Sequence, residues 1–172
     1  MELCEAYRFC PICGCARQKA SQTRPFHCHA CQHTSFFGPV AAVGAVITNH
    51  LGQVLLLERA KDPGKGKLGM PGGFVDPNES AESALRREIQ EEVGISVGRL
   101  NYLITAPNAY SYQSVVYSVL DVFYHTHINS DQVINAALSE VAAWMWTDLT
   151  TEILERMAFV SNRLALEHFM TL

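Results

Sequence analysis

Residues 73–95 read GFVDPNESAESALRREIQEEVGI, and everything else in the chain is organised around them. Ala81 to Val93 is expected to be a helix. Pro77 stops what precedes it, Asn78 or Ser80 supplies a cap, good helix formers fill it, and Gly94 lies just past its end. At about 100° per residue, Ala81, Ala84, Leu85, Ile89 and Val93 share one broad apolar face. Glu88 and Glu92 project into the same arc, where plain solubilising acids do not belong. With Glu91 they stand at i, i+3 and i+4, within reach of one point in space, with Arg87 alongside. Such carboxylates repel one another unless a cation joins them. An oxygen-only cluster suits hard Mg²⁺ or Mn²⁺, which keep waters and bridge to substrate phosphates.

The stretch fits the pattern G-x5-E-x7-R-E-φ-x-E-E-x-G-φ (φ apolar) without a mismatch. At ordinary residue usage, its seven fixed positions coincide by accident on the order of 10⁻⁹ per window. It resembles the Nudix box, and the resemblance to Nudix hydrolases runs from about Val40 onward. By position, the resemblance implies that Glu88, Glu91 and Glu92 are divalent-metal ligands, joined by the Gly73 carbonyl. It likewise implies that Arg87 orients the acidic cluster and that Glu79 is the auxiliary glutamate before the helix. The activity implied is hydrolysis of a nucleoside diphosphate linked to a second moiety, by water attack on phosphorus. Upstream, Met70-Pro-Gly-Gly73 forms a tight turn in which Gly72 and Gly73 let backbone approach a metal or phosphate.

All six cysteines, Cys4, Cys10, Cys13, Cys15, Cys28 and Cys31, fall in the first 39 residues. Cys10–Cys13 and Cys28–Cys31 are two C-x2-C pairs separated by 14 residues, marginally closer than is usual for a four-cysteine zinc site. Each pair can aim two thiolates at one tetrahedral Zn²⁺. Gly14 suits a knuckle turn; Gln32, its counterpart, does so less comfortably if positive φ is needed. A segment this short and poor in large apolar residues gains its fold from metal. Disulfides are the competing reading, and a redox C-x-x-C site a weaker one. Cys4 and Cys15 read as spare thiols, and His27, His29 and His33 as polar surface residues that could substitute as ligands.

Residues 1–39 carry Arg8, Arg17, Lys19 and Arg24 against Glu2 and Glu5, a balance of +2 within a chain of net charge −4. That is weak support for nucleic-acid binding. The ribbon reads instead as a structural or dimerisation appendage. The expected organisation is a zinc ribbon over 1–38 and a globular domain over 39–172, large enough for a normal core. Met1-Glu2-Leu3-Cys4 leads straight into the first knuckle without a charged-then-apolar leader, and no apolar stretch approaches membrane length, so a soluble cytoplasmic protein is expected.

Strands are expected at Ala41–Thr48 and Gln53–Arg59, around Leu100–Thr105 and Ser114–Tyr124, and near Ala143–Thr147. The 62–67 loop, rich in Gly, Pro and Lys, suits a mobile wall. A further loop lies near His127–Asn135, and Phe159–Phe169 closes the chain as an amphipathic helix. Strands mixed with helices predict an α/β/α sandwich on a mixed sheet, the fold the resemblance also implies. Glu140, in a loop before the last strand, stands where many family members place another acid that binds metal or acts as general base. Trp144 and Trp146 share one side of that strand, as core residues or as base-stacking surfaces. Tyr110 and Tyr112 occupy positions where some members stack aromatic residues on the nucleotide. His125 and His127 read as a solvent-facing strand edge without a chemical role.

A zinc ribbon followed by a Nudix domain is similar to the arrangement of bacterial NADH pyrophosphatases and of plastid enzymes acting on FAD or ADP-ribose. The former carry S-Q-P-W-P-F-P-x-S after the box, whereas this chain has Ala106-Pro-Asn-Ala-Tyr-Ser-Tyr-Gln-Ser114. The proline found 16 residues after the box in many ADP-ribose enzymes is replaced by Ser111. The expectation is a metal-dependent pyrophosphohydrolase acting on ADP-ribose, FAD or NAD(H). The alternative is a ligand sensor in a nucleic-acid-binding regulator, against which the intact glutamate set argues.

Overall fold

The computed structural model describes residues 1–17, 26–128 and 132–172. Lys19 and Arg24, and residues 129–131 of the expected loop near His127–Asn135, lie outside the described residues. Contacts divide the chain into two compact units, Met1–Pro39 with Ala109–Ser118, and Val40–Asn108 with Val119–Leu172.

In the first unit, α1 (Leu3–Ala6) is followed by β1 (Phe26–His27) and β2 (Thr34–Ser35), which pair antiparallel. Its small core gathers Cys10, Phe26 and Cys28, with Cys15 and Phe37 packed against them. Glu2 bridges to Val116, and the Val116 N–H donates to the Met1 carbonyl at 2.8 Å, so residues 109–118 group with the N-terminal segment.

In the second unit come β3 (Val40–Thr48), β4 (Val54–Arg59), β5 (Leu68–Gly69), β6 (Gly72–Phe74) and α2 (Ala81–Val93). Then follow β7 (Asn101–Tyr112) and β8 (Val115–His127), whose joined ends belong to the first unit, and finally β9 (Val141–Thr147), α3 (Thr151–Glu155) and α4 (Val160–Phe169). The sheet runs β5-β4-β3-β8-β7, with β6 on β3 and β9 on β4. β3 and β8 pair in parallel from Val40↔Val119 to Thr48↔His127, while β4, β5, β6 and β9 pair antiparallel with their neighbours, so the sheet is mixed.

Residues 42–48 of β3 are buried throughout rather than alternately, because both sheet faces are covered. On one face, Ala84, Leu85, Ile89 and Val93 of α2 pack on Val43, Ala45, Ile47, Leu55 and Leu57. On the other, Leu154, Met157, Ala165 and Leu166 from the α3–α4 segment pack on Val46, Leu56 and Phe123. This is the expected α/β/α sandwich. Each fully buried leucine or isoleucine contributes roughly 1.5–3 kcal/mol. Among the described residues, no helix is long and apolar enough to cross a membrane.

Three expectations need correction. His125 is not on a solvent-facing edge: β3 covers β8 there, its ring lies 4.9 Å from that of Phe169, and its Nε2 is 3.0 Å from Thr48 Oγ1. Burial lowers its pKa. The strand expected to stop near Thr105 continues to Tyr112, because it gains a partner in β8 that its own pattern does not reveal. The 62–67 loop is closed on itself by hydrogen bonds rather than built as a loose wall, as described below.

Candidate active site and cysteine cluster

Helix α2 begins at Ser80, whose Oγ accepts the Ser83 N–H at 3.1 Å, and ends at Gly94 with φ 70°. Of the two caps considered, Ser80 is the one used; Asn78 instead takes φ 67° in the preceding turn. Capping at both ends fixes the rotation of the helix, and with it the direction of its acids.

Arg87 is the hub. Its Nε and Nη2 donate to Glu79 Oε1 and Oε2, each at 3.1 Å, in a two-pronged pair. Nη1 donates to Glu88 Oε1 at 2.8 Å and to Glu91 Oε2 at 3.2 Å, and Nη2 also donates to the Phe74 carbonyl at 3.1 Å. One guanidinium thus ties the pre-helix acid, two helix acids and β6 together. The pairing holds Glu79 below its usual pKa.

The other helix acid turns away from Arg87. Glu92 Oε2 accepts the Gly72 N–H at 2.9 Å, and burial, with Glu88 and Glu140 nearby, pushes its pKa up to about 8. Arg59 acts in the opposite direction. Burial also raises Glu88, against the pull of Arg87. The Glu88 carboxyl lies so close to Gly73 that a Cβ built there would be 2.5 Å from it. Gly72, at φ 149°, sits against the Val43 carbonyl of β3.

Glu140 lies in the turn before β9, exposed, with Lys61 Nζ 3.8 Å from its Oε1. Its charge acts on both Glu88 and Glu92. The second unit therefore brings Glu79, Arg87, Glu88, Glu91, Glu92, Gly72, Gly73 and Glu140 into one neighbourhood. The three box carboxylates are not drawn to one point, however. Among the described residues, the group of three or more metal-donor side chains with all ligand atoms within 4.8 Å is the cysteine set. Arg87 and the Gly72 N–H hold the glutamates apart instead.

The donor chemistry fits a hard divalent cation. The acids are oxygen donors, and burial raises the pKa of two of them despite the opposing pull of Arg87 on Glu88 and of the Gly72 N–H and Arg59 on Glu92; a cation would add further positive charge that favours their ionised forms. Trp146 packs into the α2-side core and Trp144, two residues before it, is 42% exposed. Tyr110 is half-buried and Tyr112 exposed, both in the first unit. The influence of Arg59 on Glu92 and the Phe74 carbonyl under Arg87 escaped the sequence reading. The first had no signal 33 positions away; the second is a backbone group that no residue type announces.

In the first unit the two knuckles repeat one geometry. The Gly14 N–H donates to the Cys10 carbonyl at 3.0 Å and the Gln32 N–H to the Cys28 carbonyl at 2.9 Å, with φ 71° at Gly14 and 62° at Gln32. Gln32 thus adopts the conformation that its side chain disfavours. Cys10 and Cys31 sulfurs lie 3.6 Å apart, and Cys13 and Cys28 sulfurs 3.7 Å. A tetrahedron with Zn–S near 2.3 Å places sulfurs about 3.8 Å apart. N–H groups of Cys31 and then Ala30 lower the Cys28 thiol to about 6, though burial opposes them. Disulfide bonding is not seen: all six cysteines are free. His27 binds Thr34 and Gln32, and His29 lies 3.6 Å from Cys15, so neither histidine enters the four-sulfur group.

The family model described as the NUDIX domain matches residues 38–168. A relative described as NAD-capped RNA hydrolase NudC from Pseudomonas fluorescens (strain Pf0-1) is 33% identical over 97 residues, covering 56% of this chain and 34% of the relative. The matched region spans about a third of the length of such curated relatives. Among solved structures, the MutT protein of Methanosarcina mazei Go1 aligns with TM-score 0.63 at 25% identity, over 80% of this chain and 97% of that one. The NUDIX domain of Shewanella oneidensis NrtR, in complex with ADP ribose, aligns with TM-score 0.64 at 26% identity, over 79% and 89%.

Proposed function

The chain belongs to the Nudix hydrolase family, and from that premise we propose that it cleaves the pyrophosphate of an adenosine diphosphate linked to a second group, with ADP-ribose, FAD and NAD(H) as favoured substrates. The observation that carries this reading is the Arg87 hub, which binds Glu79, Glu88 and Glu91 at once beside Glu92 on the Gly72 N–H. Glu88, Glu91, Glu92 and the Gly73 carbonyl would hold Mg²⁺ or Mn²⁺. Bound there, the cation would neutralise the diphosphate and lower the pKa of an attacking water. Arg87 fixes the rotamers of Glu88 and Glu91, and Glu79 in turn fixes Arg87. The Gly72–Gly73 backbone, free of side chains, admits the phosphates. Glu140, exposed and facing Lys61, with its charge acting on Glu88 and Glu92, is the candidate base that would take the water proton. Water adds to one phosphorus, the bridging P–O bond breaks, and AMP leaves with the other phosphorylated half.

Support for an adenosine-containing ligand comes from the NrtR NUDIX domain, which binds ADP ribose, and from NudC, described as acting on NAD-capped RNA. Within the second unit, Trp144 and Trp146 are the candidate stacking residues. The experiment is a hydrolysis panel of ADP-ribose, FAD, NADH, nucleoside triphosphates and NAD-capped RNA with Mg²⁺ or Mn²⁺, with products identified by mass. AMP should appear from at least one of the first three, and reaction in ¹⁸O water should label a single product. Turnover confined to triphosphates would overturn the substrate class, and turnover confined to NAD-capped RNA would overturn the choice of a small-molecule substrate; neither would touch the hydrolase reading. A gel shift on DNA with no hydrolysis at all would favour the sensor alternative.

The cysteine set would hold one structural Zn²⁺ as four thiolates in a cytoplasmic protein. Purified protein should contain about one zinc per chain. Cys10→Ser should lose it and loosen residues 1–39, because Cys10 is also part of that unit's small core, while the second unit stays folded. Zinc-free protein purified without chelators would refute this assignment.

A further inference from the structure

Between β4 and β5 the chain closes on itself. The Gly66 N–H donates to the Arg59 carbonyl at 2.9 Å, Lys67 N–H to Gly64 at 3.0 Å, and Arg59 N–H to Lys67 at 3.0 Å. Arg59 Nε donates to the Pro63 carbonyl at 2.8 Å, and its guanidinium rests 5.0 Å from the Phe159 ring centroid. Asp62, the acid of the loop, is exposed and accepts the Lys65 N–H at 3.3 Å. The charged residues that this fastened loop presents to solvent are Lys61, Lys65 and Lys67 against the single acid Asp62, a local balance of +2. Arg156, also exposed, adjoins them, since its carbonyl accepts the Leu68 N–H at 3.0 Å. Lys65, Lys67 and Arg156 have no ion-pair partner among the described residues.

The loop is joined to the acidic centre. The Ala60 N–H donates to the Glu140 carbonyl at 2.9 Å, and Lys61 reaches the Glu140 carboxylate. Exposed lysines ordinarily just solvate a surface. Here they are grouped on a loop held by its own hydrogen bonds, in a chain of net charge −4, at the rim of a site rich in carboxylates. A diphosphate at the glutamates needs a metal, and it leaves Lys65, Lys67 and Arg156 without a counter-charge.

We propose that this loop docks a phosphate group that the substrate carries beyond the scissile diphosphate, either on a ribose or further along a phosphate chain. The proposal rests on the pyrophosphohydrolase reading for which bond is cut, but binding can be measured without it. Equilibrium titrations in Ca²⁺ would compare NADPH with NADH, and diadenosine triphosphate with diadenosine diphosphate. The extra phosphate should improve affinity about tenfold in at least one pair, the sum of several exposed charge contacts. The pair that responds identifies where the phosphate sits. In Lys65→Glu/Lys67→Glu the ratio should fall to about one, and Lys65→Gln/Lys67→Gln should lie between, with unchanged circular dichroism. A wild-type ratio near one in both pairs, or a ratio that survives the double charge reversal, overturns the proposal. Absence of hydrolysis with Mg²⁺ or Mn²⁺ would count against the hydrolase reading alone, because the binding ratio would still be read.

Discussion

Glu92→Gln is expected to lower turnover by about 10³-fold or more, the scale on which removal of a charge-stabilising group acts. The amide oxygen can still accept the Gly72 N–H that Glu92 accepts at 2.9 Å, so the turn keeps its shape. What disappears is the negative charge that holds a hard cation. The same substitution should stabilise the metal-free protein in alkaline buffer. Glu92 has a folded-state pKa raised to about 8 by burial, above that of the unfolded chain, so the folded metal-free protein holds an extra proton between about 4.5 and 8. Its stability should therefore fall as pH rises through that window and level off above it, by an amount on the order of a few kcal/mol. Glu92→Gln should flatten this slope in melting temperature against pH, and Mg²⁺ or Mn²⁺ should raise the wild-type melting temperature more at pH 8 than at pH 5.5. Full activity of the variant, or of wild type in excess EDTA, would be incompatible with the metal role.

Gly72→Ala should be strongly destabilising, by about 2–4 kcal/mol in urea denaturation. A Cβ there would lie 2.1 Å from the Val43 carbonyl and 2.8 Å from Gly44 Cα, both backbone, and φ is 149°. Nothing flexible can yield, so β6 would have to leave β3 at the Gly44↔Gly72 pair and take the Glu92 hydrogen bond with it. Gly73→Ala offers the contrast. The three atoms nearest its Cβ would all belong to the Glu88 carboxyl, the far end of a side chain that can swing aside. That variant should keep most of its stability and lose activity, because Glu88 is displaced from Arg87 and from the metal position. Equal stability losses in the two variants would contradict this distinction between backbone and side-chain obstruction.

The 23-residue stretch beginning at Gly73 determined by itself that α2 would form, where it would start and end, which face it would bury, and which acids it would carry. Those properties depend on neighbours within a few residues, through caps, the 3.6-residue period and helix propensity, and such couplings are written locally. The paired cysteines were equally legible, since two C-x-x-C turns need only their own geometry to aim four sulfurs inward. Tertiary structure alone decided that the same three glutamates divide their allegiance, Glu88 and Glu91 to Arg87 and Glu92 to the Gly72 N–H. It also decided that β8 lies parallel beside β3 and buries His125, that Arg59 and Glu140 act on Glu92, and that the lysine loop is fastened beside Glu140. These features join residues dozens of positions apart, and their energies depend on burial and on distances that no single segment contains.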